Sequence, residues 1–382
     1  MTKLRVLIVT PSFPPLRNGT ARLIGNIADS LSAGGSSVVV LTRRTGALPA
    51  RESANGVYIM RISASSSFFG KISFVIQSLV LLAVSIRRWR IEVIHSVGTA
   101  ALASSIFGSL FSRPIIVTFP GLPAESKRSG DPQRAVKTKA RGILRVLSLF
   151  PRYATVPTKG ALGPIVELCG ERIAERIRVI SNPMDVAKFS PSGRARPEGN
   201  FPEILVVGGL RSRKGVGTLI RALPVVLHEY PTLRVTLVGS GSFAPSLERL
   251  IQKLGIAGSI GWTGEVSDEQ LIDRYEDSDV VVVPSLAGGE AFGYVVAEAM
   301  CMKKPVIASA TPGPSEIITD ANCGLLFPPG DQAELAALIL RIARDDTQCR
   351  LFGENGRRYA EEHFDSKKVI VEFEDLYRKA IG

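Results

Sequence analysis

Short apolar runs, rich in valine and isoleucine, recur along this chain, and stretches of helical periodicity separate most of them. Leu4–Thr10, Val38–Thr42, Val57–Ile62, Ile91–His95, Ile115–Thr118, Tyr153–Pro157 and Ile177–Ile180 read as strands in the first half. Ile204–Val207, Val235–Val238, Val280–Val283 and Pro305–Ser309 read as strands in the second. Continuous apolar strands alternating with helices predict parallel sheets covered on both faces, an α/β chain of doubly wound type. In such sheets the loops after the carboxyl ends of the strands line the ligand crevice. The 382 residues suffice for two domains of ordinary size. A run rich in Pro, Gly and Arg, Pro191–Pro202, reads as a linker. We expect a first domain over 1–190, a linker over 191–202, a second domain over 203–365 and a closing helix over 366–382.

The most informative stretch is Pro284–Pro305, PSLAGGEAFGYVVAEAMCMKKP. It follows the buried strand Val280–Val283 with a Gly-rich loop, Ala287–Gly289, and then a helix from about Gly293 to Met302. Glu290 lies in the loop at the mouth of that helix, and Glu298 lies within the helix among apolar neighbours. A helix N-terminus offers unpaired N–H groups and a positive dipole end, which suit a phosphate. A carboxylate beside it accepts hydrogen bonds from sugar or ribose hydroxyls. One site can then hold phosphate and hydroxyls together. On spacing alone the alternative is a solvated loop glutamate and a helical glutamate paired elsewhere.

Two other strand-to-helix loops have the phosphate-cradling pattern. PSFPPLRNGTAR follows the first strand and opens a helix near Gly19, where a side chain would hold a ligand off the backbone. It contains no GxGxxG, so a nicotinamide fingerprint is absent. GGLRSRKGVGTLIRAL follows Ile204–Val207, and Lys214-Gly215 opens its helix. A lysine held at that turn can neutralise a diphosphate as a compact charge, with Arg211 or Arg213 adding to it. As lone residues these arginines also fit a solvated surface. His95 sits at a strand end and is kept as a candidate, beside the reading of a structural hydrogen-bonding histidine.

The net charge of +12 is unevenly placed: about +17 falls in residues 1–190 and about −5 in the rest. The basic half should attract an anion such as a phosphorylated acceptor, a membrane surface or nucleic acid. Arg134, Lys137, Arg141 and Arg145 share one face of a helix predicted over 133–150, with Val136, Ala140, Ile143 and Leu147 opposite. Contact with anionic head groups or acceptor phosphates is one reading of it. A surface helix with a solvated cationic side is the other. Ile72–Ile86 reads as a buried or membrane-facing helix, short of the roughly 20 residues that a span needs. No aromatic-interleaved basic motif supports nucleic-acid binding. Four widely spaced cysteines show no metal spacing and read as ordinary thiols. No signal peptide is read at the N-terminus, and a cytoplasmic protein is expected.

The stretch around Glu290 and Glu298 resembles the Glu-x7-Glu signature of family 4 of the retaining glycosyltransferases of the GT-B fold. Its flanks resemble the family too: PS before the loop, EAM after the second glutamate, PVIAS and then CGLLFPPGD. SNPMDVAKFSP, with Asn182, Asp185 and Phe189, resembles the segment that closes the family's first domain. The resemblance implies two Rossmann-like domains facing across a cleft, with the last helix crossing back onto the first. It implies transfer of a sugar from a nucleotide-sugar donor to an acceptor hydroxyl with retained configuration. Glu290 would bond the sugar and Glu298 the ribose. Gly19, Lys214, Arg211 or Arg213, Ala291, Phe292 and Gly293 would surround the diphosphate, and Gly264 and Val266 the base. None of the segments that carry the resemblance contains an Asp-x-Asp motif, so metal-independent chemistry and no cofactor are expected. The expected partners are a nucleotide sugar, a phosphorylated or lipid-linked acceptor, and the anionic inner face of the cytoplasmic membrane. Two departures stand out: Pro120 where the family usually shows a histidine, and Gly209 where it shows an arginine. They favour the rival reading, a binding or scaffold subunit that no longer catalyses. The glutamate pair and Lys214 favour the enzyme.

Overall fold

The computed structural model describes residues 3–63, 77, 80–98, 104, 108, 110–121, 151–193, 202–286 and 290–382. The helix predicted over 133–150, with Arg134, Lys137, Arg141 and Arg145, and the loop Ala287–Gly289 lie outside the described residues. So do parts of the linker and of Ile72–Ile86. From Val80 the latter is helical, with Leu82 and Ile86 buried and Val80 and Val84 facing outward.

The chain forms two compact α/β units. The first carries an eight-stranded sheet made of β1 (Arg5–Thr10), β2 (Ser37–Arg43), β3 (Arg51–Ala54), β4 (Val57–Ile62), β5 (Val93–Val97), β6 (Ile115–Thr118), β7 (Tyr153–Val156) and β8 (Ile177–Val179). Their order is β3-β4-β2-β1-β5-β6-β7-β8. All neighbours run parallel except the β3–β4 hairpin. That hairpin turns through Asn55-Gly56, both at positive φ, as a two-residue turn with the twist of its strands requires. The central strands are buried along nearly their whole length, which is why they read as unbroken apolar runs.

The second unit holds a parallel six-stranded sheet of β9 (Glu203–Val207), β10 (Arg234–Val238), β11 (Ile260–Gly264), β12 (Val280–Val283), β13 (Val306–Ser309) and β14 (Gly324–Phe327). Its order is β11-β10-β9-β12-β13-β14. Leu219 and Leu223 of helix Val216–Glu229 and Ile339 of helix Gln332–Ala343 cover it from one side. In this sheet the chain leaves β9 toward one edge and returns through β12 toward the other. The crevice at the carboxyl ends of these two neighbours is therefore where a ligand is expected.

The division between units corrects the expected boundary. The first unit ends at Met184 and takes back Ser366–Gly382, while the second spans Asp185–Asp365. Residues that read as the end of the first domain instead pack on the second. Phe189 lies edge-on to Tyr275, with ring centroids 6.4 Å apart. Arg357 Nη1 donates to the carbonyls of Val186, Phe189 and Cys301. The chain leaves and re-enters the first unit at one point, where Ser366 N donates to Met184 O at 2.9 Å.

His95 illustrates how the returning helix Ser366–Ile381 is fastened. Its imidazole is fully buried, with Nδ1 2.7 Å from the Tyr377 hydroxyl and Nε2 2.6 Å from Thr118 Oγ1. Thr118 Oγ1 reaches Thr155 in turn, and Phe373 stacks on the ring. Burial pushes the His95 pKa down to about 3. Of the two readings kept for His95, the structural hydrogen-bonding histidine holds and the site candidate does not: it is a neutral internal tie between β5, β6 and the last helix. The consequence is a pH dependence. Below about 6.5 the unfolded chain binds a proton that the folded chain refuses until near pH 3, so stability falls as pH falls, by about 1.4 kcal/mol per unit. The slope of Tm against pH between 6.5 and 5 should be shallower in His95→Asn than in the parent. Equal slopes would remove His95 as its source.

Candidate active site

The crevice at the ends of β9 and β12 is built by two loops pressed together. After β9 the chain passes Gly208-Gly209, makes a tight turn over Ser212–Lys214 and enters helix Val216–Glu229 through Gly215, at φ 66°. A Cβ on Gly215 would lie 1.8 Å from the Pro284 carbonyl oxygen, so only glycine lets the two backbones meet. Leu286 N donates to Arg213 O at 2.8 Å and closes the contact. This approach carries Lys214 across to the loop after β12, where its ammonium donates to Glu290 Oε1.

The pair lies in a recess: 23% of the Lys214 side chain and 14% of the Glu290 side chain are exposed. Gly313 N donates to Glu290 O at 3.1 Å, which fixes the backbone of the loop from below. Helix Tyr294–Cys301 then begins at Gly293, φ 92°, with no side chain capping its first turn. Helix Val216–Glu229 also starts without a side-chain cap. Val216 at the first of these ends lines the crevice, and the second end follows Glu290 in the chain; an uncapped amino-terminal end leaves its dipole to an anion. Ser285, buried at the end of β12, lines the crevice with Lys214. Its hydroxyl has no hydrogen-bond partner among the described residues.

The remaining candidates are placed unevenly. Arg211 and Arg213 are exposed on the turn that carries Lys214. Gly264 sits at positive φ at the end of β11, its carbonyl accepting from Gly239 N at 2.7 Å, and Val266 is half-buried beyond it. Gly19 is exposed in the first unit, at the start of helix Gly19–Ala33, whose N-cap Asn18 accepts from Ala21 N at 2.9 Å. The side chains of Ala291 and Phe292 point into the core, and Phe292 packs edge-on to Tyr294 and Phe364. At these two positions only the backbone can meet a ligand. Glu298 is 1% exposed, and its Oε2 accepts from the Tyr275 hydroxyl at 2.7 Å. Sequence reasoning did not single out Tyr275 or Gly313. A lone tyrosine on an apolar helix face carries no signal beyond core packing. Ser285 was visible only as part of a flanking dipeptide.

No group of three or more His, Cys, Asp and Glu able to hold a metal occurs among the described residues. Cys169, Cys301, Cys323 and Cys349 are free, with thiol pKa values pushed up to about 11 or 12 by burial. No helix among the described residues is long and apolar enough to cross a membrane.

Models of known families match nearly the whole chain: Glycosyltransferase Family 4 over residues 17–188 and Glycosyl transferases group 1 over residues 193–359. The chain belongs to glycosyltransferase family 4. This family member is 25% identical to a glycogen synthase of Mycobacterium tuberculosis, across 99% of its own length and 95% of the relative's. It is 22% identical to that organism's GDP-mannose-dependent alpha-(1-6)-phosphatidylinositol monomannoside mannosyltransferase, with 98% of both chains covered. Among solved structures, sucrose-phosphate synthase from Thermosynechococcus elongatus superposes with a TM-score of 0.81 at 22% identity, over 98% of each chain. The glycosyltransferase thus has the GT-B fold expected from its motifs, with two Rossmann-like α/β units.

Proposed function

We propose that this enzyme transfers a sugar from a nucleotide diphosphate to an acceptor hydroxyl with retained configuration and without a metal ion. The observation that carries the reading is the Lys214–Glu290 pair in the crevice between β9 and β12. In the proposed chemistry the bond from the sugar C1 to the phosphate oxygen breaks while the acceptor oxygen bonds C1 on the same face. The departing phosphate oxygen takes the acceptor proton. Negative charge grows on that phosphate, and Lys214 with the two uncapped helix ends meets it. Fixed charge of this kind is worth several kcal/mol in a recess. Glu290 is shared between the ammonium and a sugar hydroxyl, and Ser285 offers a further polar contact. Glu298, held from behind by Tyr275, takes the ribose side.

Relatives support a nucleotide-sugar donor: one is named as GDP-mannose-dependent, and an Anabaena protein of 19% identity and TM-score 0.78 was solved with UDP-glucose. The basic excess of residues 1–190 supports a phosphorylated or lipid-linked acceptor met at the inner face of the cytoplasmic membrane.

Thermal shifts with UDP-, GDP-, ADP- and dTDP-sugars, with and without divalent metal, test the donor site. One nucleotide should raise Tm equally in both conditions, since a ligand that binds only the folded chain stabilises it. Glu298→Gln, which keeps an acceptor for Tyr275, should weaken that donor by about 10-fold or more. No shift with any donor from folded protein would favour a non-catalytic member of the family.

A further inference from the structure

The first unit carries a second cationic recess, at the edge of its sheet opposite the carboxyl ends. It is a groove of about 570 Å³ where β1, β5 and β6 begin. Arg5, Arg87, Arg90 and Arg113 line it, and among the described residues Glu92 is the sole acidic side chain on its wall. Arg5 Nη2 pairs with Glu92 Oε1 at 2.7 Å. The buried Arg5 Nε has no hydrogen-bond partner among the described residues. No carboxylate among the described residues pairs with Arg87, Arg90 or Arg113. Arg87 lies over the Phe111 ring, 5.4 Å from its centroid, which holds its guanidinium at the rim.

The backbone adds an independent observation. The helix through Val80–Arg88 ends at Arg90, and Ile91 N donates to Ile86 O at 3.1 Å. Arg90 has φ 49°, the left-handed position that glycine normally fills at a helix end. The junction before β6 repeats the device, with Ser112 at φ 51° and Arg113 N donating to Gly108 O at 2.7 Å. Cations near helix C-termini are ordinary, since the dipole favours them. Convergence of two such junctions with Arg5 on one groove is not explained by the dipole, and a strained Arg90 works against stability.

We propose that this groove is a binding site for a phosphate group, separate from the donor crevice of the second unit. Guanidinium groups cannot deprotonate and present paired N–H donors that match phosphate oxygens. The phosphate comes either from a soluble polyanion or from a lipid head group. The inference does not depend on the identity of the donor or on catalysis.

The test uses the full chain carrying Lys214→Ala, which weakens anion binding in the donor crevice, and compares it with the same chain bearing Arg90→Gly and Arg113→Ser. Pyrophosphate titrated by calorimetry should bind the first, and at least tenfold more weakly the second. Flotation on vesicles of phosphatidylcholine with phosphatidylglycerol is the other arm. Loss confined to pyrophosphate assigns a soluble ligand, and loss of flotation assigns a lipid head group. Arg90→Gly relieves the left-handed strain, so the variant should melt no lower than its parent, and a binding loss cannot be put down to misfolding. Unchanged pyrophosphate affinity together with unchanged flotation would overturn the proposal.

Discussion

Lys214→Ala is expected to lower turnover by about 10²–10³-fold, the usual effect of removing one preorganised group that meets developing charge. The same change leaves Glu290, 14% exposed, without its ammonium, so some stability is lost as well. The two effects separate in the double variant Lys214→Ala with Glu290→Gln, which removes the orphaned charge. Tm should recover in the double variant and turnover should not. Recovery of turnover along with Tm would make the pair a structural strut, and the leaving diphosphate would need another cation.

Gly215→Ala is expected to cost about 2–5 kcal/mol, combining left-handed strain with overlap against a backbone carbonyl that cannot swing aside. The added carbon would sit 1.8 Å from Pro284 O. Gly255 supplies the control. It has nearly the same φ, 69°, yet a Cβ there meets nothing within 4 Å. Gly255→Ala should therefore show the strain alone, about 1–2 kcal/mol. Urea midpoints of the two variants measure the difference. Equal losses would mean that the β9 and β12 loops are not held in contact through Gly215. A larger loss at Gly215, with weakened donor binding, would show that the contact also sets Lys214 against Glu290.

The strands were legible where they are central. Val57–Ile62, Ile115–Thr118 and Val280–Val283 form over the residues expected, because a strand buried on both faces must be apolar throughout. The strands that escaped are edges. Arg51–Ala54, Ile260–Gly264 and Gly324–Phe327 are partly exposed; the first two carry no apolar run and the third only a short one, and the Asn55-Gly56 turn was not read as a hairpin. The domain boundary was misplaced for a similar reason. A linker reads as a change of composition, but Val186 and Phe189 belong to whichever core accepts them, and Arg357, some 170 positions on, holds them to the second unit.

By itself the sequence determined the class of fold, the order of its elements and the family, because apolar runs, helix starts and the Glu290–Glu298 spacing are local patterns. The tertiary structure decided which candidates stand in a site. Lys214 and Glu290 are 76 positions apart and meet only because Gly215 admits Pro284 at the reversal of strand order. It also took His95 out of consideration, since a histidine at a strand end reads the same whether it faces solvent or, as here, Tyr377 and Thr118 in the core. Burial and partners are properties of the packed chain, and no local pattern encodes them.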